Sequence, residues 1–256
     1  MRVPAIITLT TDFGPGEYVA AMKGVILTIN HQALIVDISH QVEPQDILGG
    51  AFVLAAATPH FPPNTIHVAV VDPGVGTGRR ALLVETPQAR FLAPDNGLLG
   101  LVLGGKQWRA WELTQPRYWR QEVSATFHGR DIFAPAAAHL SLGVSPQEMG
   151  RPVTEMVKAL LPPVEVSGEV VRGQVVYVDR FGNLITNLRR EHLPPGEVLV
   201  EVAGRTIRGL STHYQTGAGL VALIGSSGYL EVAAPSASAA RLLKARRGLP
   251  VRIAAP

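Results

Sequence analysis

Cysteine is absent from the 256 residues. That removes disulfides, thiolate metal ligands and cysteine nucleophiles together. No apolar stretch reaches the roughly 18 residues of a membrane span; the longest, Ile47 to Thr58, reads as a buried helix. Charged residues make up only 17% against 46% hydrophobic, which excludes disorder, a state that needs low hydrophobicity and high net charge. Gly (26) and Pro (20) recur without a fixed period, so a collagen-like chain is excluded too. The N-terminus carries a lone Arg2 and no apolar run with a cleavage site, so no secretory leader is expected and the cytoplasm is the expected location.

Lysine is also scarce, four against nineteen arginines, and the formal charge of +3 is uneven. Residues 1–167 hold 12 basic and 14 acidic side chains, whereas residues 168–256 hold 11 and 6. Such a basic third can bind nucleic acid. Its cluster Arg241, Lys244, Arg246, Arg247 lacks interleaved aromatics, so a solvated surface is the reading and no nucleic-acid or membrane partner is expected.

The first two-thirds alternate β-branched runs with helical patterns. Ala5–Thr10, Leu34–Ile38 and Ile66–Val71 read as buried strands, with helices at Tyr18–Ile29 and Ile47–Ala57 between them. This order predicts an α/β domain with a mostly parallel sheet. A further helix is predicted over Ile132–Leu142, stopped by Gly143, and Ser145-Pro146-Gln147-Glu148 opens another. After Leu161-Pro162-Pro163 the texture changes to short runs, Gly173–Asp179, Glu197–Val202, Leu220–Ile224 and Tyr229–Val232. They predict a smaller, β-rich, barrel-like C-terminal domain, with the boundary placed between residues 165 and 166.

Ligands of parallel α/β sheets bind beyond the carboxyl ends of strands, which directs attention to the polar residues there. Asp12, in Thr10-Thr11-Asp12-Phe13-Gly14, follows the first strand. It is either a helix cap or a carboxylate for vicinal hydroxyls. Asp72-Pro73-Gly74-Val75-Gly76-Thr77-Gly78-Arg79-Arg80 has three closely spaced glycines. It fits neither a Walker loop nor a dinucleotide fingerprint, because a strand-like run, Ala81–Glu85, follows instead of a helix. Seven residues can fold back, so Asp72 and Arg79 can pair, as a structural ion pair or as part of a site. His128, in Thr126-Phe127-His128-Gly129-Arg130-Asp131, can act near neutral pH as acid or base. No His/acid spacing resembles a zinc helix and no acidic cluster a calcium loop, so no metal is expected. In the C-terminal part, Asp179-Arg180-Phe181-Gly182-Asn183 and Gly225-Ser226-Ser227-Gly228-Tyr229-Leu230-Glu231 offer a ring face, an amide and polar anchors. Alone they read equally as two β-turns.

Taken together these segments resemble the adenosine-forming S-adenosyl-L-methionine (SAM) hydrolases, or SAM hydroxide adenosyltransferases, relatives of fluorinase and chlorinase. The resemblance runs from Thr11-Asp12-Phe13-Gly14 through Asp37-Ile38-Ser39-His40 and Ala93-Pro94-Asp95-Asn96-Gly97 to Gly228-Tyr229-Leu230-Glu231. Phe127 to Pro135 and Arg180 to Asn187 are its most specific pieces. It implies hydrolysis of SAM to adenosine and methionine by attack on ribose C5′, without cofactor or metal. It also implies a homotrimer with substrate at subunit interfaces. The family's Asp–Arg–His set falls on Asp72, Arg79 and His128. Asp12 is implied for the ribose hydroxyls, and Phe181, Asn183 and Tyr214 for adenine. Asp179, Ser226, Glu231 and Glu17 are implied for the methionine end, and Phe127 as a further binding residue.

Departures from the halogenases favour hydrolysis. They carry tyrosine where this chain has Asp72, and a carboxylate repels halide by several kcal/mol in a poorly solvated pocket. Fluorinase has a serine at the Gly129 position, a long insertion near Glu85–Arg90, and a tryptophan where Ile185 stands. A 5′-halogenase and a non-catalytic SAM or adenosine sensor are the alternatives.

Overall fold

The computed structural model describes residues 4–158, 161–214 and 219–256. The chain divides into two compact units, Met1–Leu160 and Leu161–Pro256.

The first unit contains β1 (Ile6–Thr11), α1 (Glu17–Ile29), β2 (Leu34–Ser39), α2 (Ile47–Ala57), β3 (Thr65–Val70), β4 (Ala81–Glu85) and β5 (Ala89–Pro94). There follow α3 (Gly100–Leu103), β6 (Arg109–Leu113), α4 (Ala134–Ser141), the one-turn α5 (Pro146–Met149) and β7 (Gly150–Val153). The strands form one sheet in the order β2-β1-β3-β5-β4-β6-β7. Pairing is parallel from β2 to β5 and antiparallel from there on, so β2, β1, β3, β5 and β6 point one way and β4 and β7 the other.

Side chains alternate across this sheet. Val68 and Val70 of β3 enter the core beneath α1 and α4, with Met22, Ile26 and Phe133. Ala69 and the following Val71 enter the opposite core, with Leu54 of α2 and Val102 of α3. Two apolar faces explain why β1 and β3 read as continuous apolar runs. The run Leu34–Ile38, expected as a buried strand, departs from that burial. β2 is the sheet edge, none of its residues is fully buried, and Leu34 is 53% exposed. An apolar run signals strand propensity and cannot say whether a second neighbour covers it.

The expected helix over Ile132–Leu142 begins earlier and in another form. A π turn spans Gly129–Phe133 and passes into α4. The Ser145 cap is present as a capping box with Glu148, at the head of a single turn.

The second unit contains β8 (Glu165–Ser167), β9 (Val170–Val178), β10 (Leu184–Arg189), β11 (Leu199–Val202), β12 (Arg205–Arg208), β13 (Val221–Ile224), β14 (Tyr229–Ala233), α6 (Ala239–Leu243) and β15 (Pro250–Ala254). They form an antiparallel sheet, β12-β11-β15-β9-β10-β14-β13, with β8 added on β9. Past the end of β12, the Ser211 N–H donates to the Ala222 carbonyl in β13 at 2.7 Å, which brings the sheet close to a closed barrel. Its interior is aliphatic, with Val175, Leu184, Leu188, Val200, Leu230, Val232 and Ile253. The unit begins before residue 165 because Asn187 donates to the carbonyls of Pro162 and Pro163 (2.9 and 3.3 Å) and tethers that segment.

Candidate active site

The sheet order places β1 between β2 and β3: α1 leads from β1 to β2 over one face, and α2 leads from β2 back past β1 to β3 over the other. That switch point opens a crevice beyond the carboxyl ends of β1 and β3. Asp12 follows β1, His40 follows β2, Asp72 follows β3 and Asp95 follows β5. β4 runs the opposite way, so Arg79 and Arg80, just before it, lie at the same edge.

The loop from Asp72 folds back as its spacing predicts. Arg79 Nε donates to both carboxylate oxygens of Asp72 (3.1 and 3.0 Å), and Nη2 donates to Oδ2 as well. Both side chains are buried, 10% and 4% exposed. Arg80 pairs instead with Asp95, its Nε 2.8 Å from Oδ2. The two neighbouring arginines therefore serve different carboxylates. Gly76 has φ +77°, and a Cβ there would stand 2.2 Å from the Ala125 carbonyl oxygen. Only glycine lets this loop lie against residues 124–128. That close approach delivers Arg79 to His128, with Nη2 2.8 Å from Nδ1. The guanidinium also lies over the Phe133 ring, 5.6 Å from its centroid.

A guanidinium can only donate, so His128 Nδ1 accepts and the neutral ring carries its hydrogen on Nε2. Burial holds the His128 pKa below its ordinary value, and the Arg79 charge lowers it further, against opposing pulls from Asp72 and Asp131. The loop bearing His128 is anchored by Asp131, whose carboxylate is fully buried. Asp131 accepts from Arg130 Nε (2.7 Å) and from the Ser124 N–H (2.9 Å), with Arg120 3.6 Å away. Burial alone would raise the Asp131 pKa; these donors outweigh it and hold the group below the usual range.

Asp12 is not a helix cap: Gly16 is the N-cap of α1 and receives no side-chain cap bond. Asp12 Oδ2 instead accepts from the Gln45 N–H at 2.8 Å, and Oδ1 is without a partner among the described residues. Glu17 is exposed in the first turn of α1. Phe127 packs edge-on against Phe13 and Tyr18 (centroids 5.8 and 5.4 Å). These rings line a pocket of about 400 Å³ with Ser124, Thr126 and Arg130. A larger one, about 620 Å³, lies at the opposite sheet edge around Asn64, Glu85 and Trp108, and includes none of the candidate residues.

In the second unit, Asp179 is committed to its own turn. Oδ1 accepts from the Phe181 and Asn183 N–H groups (2.9 and 2.8 Å), and Oδ2 from the Asn183 amide (2.9 Å). It shapes the turn that presents Phe181, a ring 78% exposed, and it holds Asn183, which is buried. Glu231 is also buried, and Tyr214 Oη donates to its Oε2 at 2.9 Å. Burial pushes the Glu231 carboxyl up, and the Asp179 charge adds to that while Tyr214 offsets part. The Tyr214 hydroxyl is pushed up to about 12 by burial and by Glu231. A Cβ on Gly225 would stand 1.8 Å from Glu231 Oε1, so this turn must be glycine for the carboxylate to sit there. Ser226, at the tip of that turn, is exposed. Asp131, Asp95 and His40 are polar residues of this edge to which residue-by-residue reading gave no role; each lay inside a quoted motif, which was the available signal.

Among the described residues no group of three His, Asp or Glu side chains could hold a metal.

Comparison with known proteins gives a consistent result. Residues 7–150 match the SAM hydroxide adenosyltransferase N-terminal domain, and residues 173–252 match the C-terminal domain of the same name. The (R)-S-adenosyl-L-methionine hydrolase of Thermus thermophilus is 40% identical over 253 residues, covering 95% of this chain and 97% of that protein. Its namesake from Methanocaldococcus jannaschii is 36% identical, with 93% and 91% covered. A fluorinase from an Actinoplanes species is 30% identical over 73% of each chain. A crystal structure of a conserved protein from Thermotoga maritima superposes with a TM-score of 0.88 at 34% identity, covering 97% of this chain and 100% of that one.

Proposed function

This chain belongs to the SAM hydroxide adenosyltransferase family, and from that premise we propose that it hydrolyses S-adenosyl-L-methionine to adenosine and L-methionine, with Asp72, Arg79 and His128 activating the attacking water. Its relatives named as SAM hydrolases are matched over nearly their full length, whereas the fluorinase match is more distant.

The oxygen of water or hydroxide forms a bond to ribose C5′, and the C5′–S bond breaks with its electron pair going to sulfur. The sulfonium departs as the neutral thioether of methionine, so the leaving group needs no acid. Water has one proton to lose. Arg79 has no acceptor capacity, and His128 Nδ1 is occupied by Arg79 while Nε2 carries hydrogen. The oxygens of Asp72 accept from Arg79 and retain lone pairs. Asp72 is therefore the group that takes the proton, and neutral His128 orients through Nε2–H. A base so placed contributes about 10²–10⁴-fold, and alignment of oxygen, C5′ and sulfur several kcal/mol more. The observation that carries this reading is the single arginine that joins a buried carboxylate to a histidine at the switch-point edge.

The binding roles are part of the same proposal. Asp12 holds the ribose hydroxyls through its unpartnered oxygen. Phe181 and Asn183 with Tyr214 address adenine, Phe127 lines the pocket, and Glu231, Ser226 and Glu17 face the methionine end. Asp179 acts on the adenine side instead of the methionine end, by shaping the turn that carries Phe181 and Asn183, which its three hydrogen bonds support. No cofactor is required. We further propose a cytoplasmic homotrimer in which a neighbouring subunit completes each site; light scattering of the purified protein tests its mass. No helix among the described residues is long and apolar enough to cross a membrane.

The deciding experiment incubates chelator-treated protein with SAM and chloride in ¹⁸O-labelled water and reads products by mass spectrometry. Adenosine carrying ¹⁸O at C5′ is the expected product. Chlorodeoxyadenosine would replace hydrolysis by halogenation, and bound adenosine without turnover would make the protein a sensor.

A further inference from the structure

The segment Asp37-Ile38-Ser39-His40 has no part in the chemistry above, yet it is wired to it. Lys23 Nζ donates to Asp37 Oδ2 at 2.5 Å, and Asp37 Oδ1 lies 3.1 Å from His40 Nε2. On its other side, His40 Nδ1 is 2.9 Å from the hydroxyl of Thr11, the last residue of β1. Thr11 is fully buried and the His40 side chain is 10% exposed. The Thr11 oxygen also accepts from the Phe13 N–H at 3.2 Å. Asp37 can only accept, so the neutral His40 ring carries its hydrogen on Nε2, in a close polar contact with Asp37 that is not aligned as a hydrogen bond, and Nδ1 accepts from the Thr11 hydroxyl. This chain runs from an ion pair on α1 and β2 to the residue immediately before Asp12.

Two further bonds tie the same loops. The Gly14 N–H donates to the His40 carbonyl at 2.8 Å, and the Gln45 N–H donates to Asp12 Oδ2 at 2.8 Å. Gln45 does so from φ +66°, a left-handed conformation that non-glycine residues seldom hold unless the surroundings impose it. Residues 11–14 are thus gripped at Thr11, Asp12 and Gly14 by the loop that follows β2.

We propose that His40 is a positioning residue that holds the Asp12 loop in its ligand-ready conformation, with Asp37 and Lys23 fixing its ring and Thr11 transmitting its position. The role of Asp12 toward an adenosyl group rests on the function proposed above; the grip itself does not. Because His40 acts through Asp12, its removal weakens capture of the ribose while leaving the Asp72–Arg79–His128 set intact.

The test compares wild type with His40→Ala and His40→Asn by adenosine calorimetry, SAM kinetics and hydrogen exchange at the Phe13, Gly14 and Gln45 amides. His40→Ala is expected to raise the adenosine Kd and the SAM KM at least tenfold, to change kcat less than threefold, and to accelerate exchange at all three amides. His40→Asn, whose side-chain oxygen can accept from Thr11, is expected to restore both constants to within threefold. Unchanged affinity and exchange in His40→Ala would overturn the proposal, as would an equal loss in kcat that Asn does not rescue. If His40→Ala fails to fold, Thr11→Val removes the hydroxyl without leaving a cavity and is held to the same readouts. Failure of wild type to bind adenosine would remove the proposed function, while amide exchange would still decide the grip.

Discussion

The two units hold buried carboxylates in opposite ways. In the first, Asp72 meets a guanidinium side-on, through Nε and Nη2, and Asp131 has two arginines and a backbone N–H around it. In the second, Glu231 has a tyrosine hydroxyl as its one hydrogen-bond donor among the described residues, with another carboxylate, Asp179, close enough to raise its pKa. A matched pair keeps its charge in a poorly solvated place and organises its neighbours. A carboxylate with one neutral donor sits there at a cost that a cationic ligand would relieve. The first arrangement suits a site that must be ready before substrate arrives. The second suits a pocket completed by the positive end of its ligand.

Breaking the matched pair gives the largest expected effect. Arg79→Met leaves Asp72 buried and unpaired, which costs about 3–5 kcal/mol of stability. It also lowers turnover about 10²–10⁴-fold; urea unfolding and steady-state kinetics measure the two losses. Asp72→Asn should lower turnover by a similar factor yet leave adenosine affinity nearly unchanged. Full activity in both variants would remove the proposed mechanism.

The next largest effect concerns pH. His67 is almost completely buried in β3, its Nδ1 2.7 Å from the Thr8 hydroxyl. Burial brings its pKa down from 6.5 to about 4. Between those values the unfolded chain binds the proton and the folded one does not, so stability falls as pH drops from 6.5 toward 4, by about 3 kcal/mol. Glu231 has the opposite sign. Its pKa is raised on folding, so it detracts from stability above that pKa and ceases to do so as pH falls through it. Unfolding of the His67→Asn variant against pH should show a flatter acid limb than wild type. An unchanged limb would clear His67 of this role.

A third comparison concerns ligand capture. Asp12→Ala is expected to weaken adenosine binding roughly 10- to 100-fold, the value of hydrogen bonds to a charged group, with kcat much less affected. Calorimetry beside kinetics separates the two. The smallest effect on stability belongs to Glu231→Gln. At neutral pH this change should be neutral or stabilising by up to about 1 kcal/mol, because it removes a charge and keeps an acceptor for Tyr214. The same variant should raise the KM for SAM if Glu231 receives the methionine ammonium. A large loss of stability would mean that Glu231 is held as a paired charge after all.

Legibility from sequence varied with the range of the contact. The Asp72–Arg79 pair was open to reading because seven residues rich in glycine can close on themselves. Arg79 rather than Arg80 was chosen from the resemblance; that the adjacent Arg80 turns to Asp95 was not legible, because it depends on β4 and β5 lying side by side. His128 lies 49 residues from Arg79, and no local pattern encodes that distance. Asp179 was legible as a polar turn residue, but its three hydrogen bonds to its own turn emerge only from backbone geometry. Leu34–Ile38 misled for a related reason, since apolar content cannot distinguish a central strand from an edge.

The amino-acid sequence by itself determined the alternation of strand and helix, the change of texture near residue 161, the turns, and the motifs that place the chain among its relatives. These are local, because propensity, capping and apolar period act over a few residues. The tertiary structure decided which strand lies at the edge, that Arg80 turns to Asp95, how Gly76 brings Arg79 to His128, and how His40 reaches the loop of Asp12. Those outcomes depend on strand order and on the close approach of loops distant in the chain, and no short-range preference carries that information.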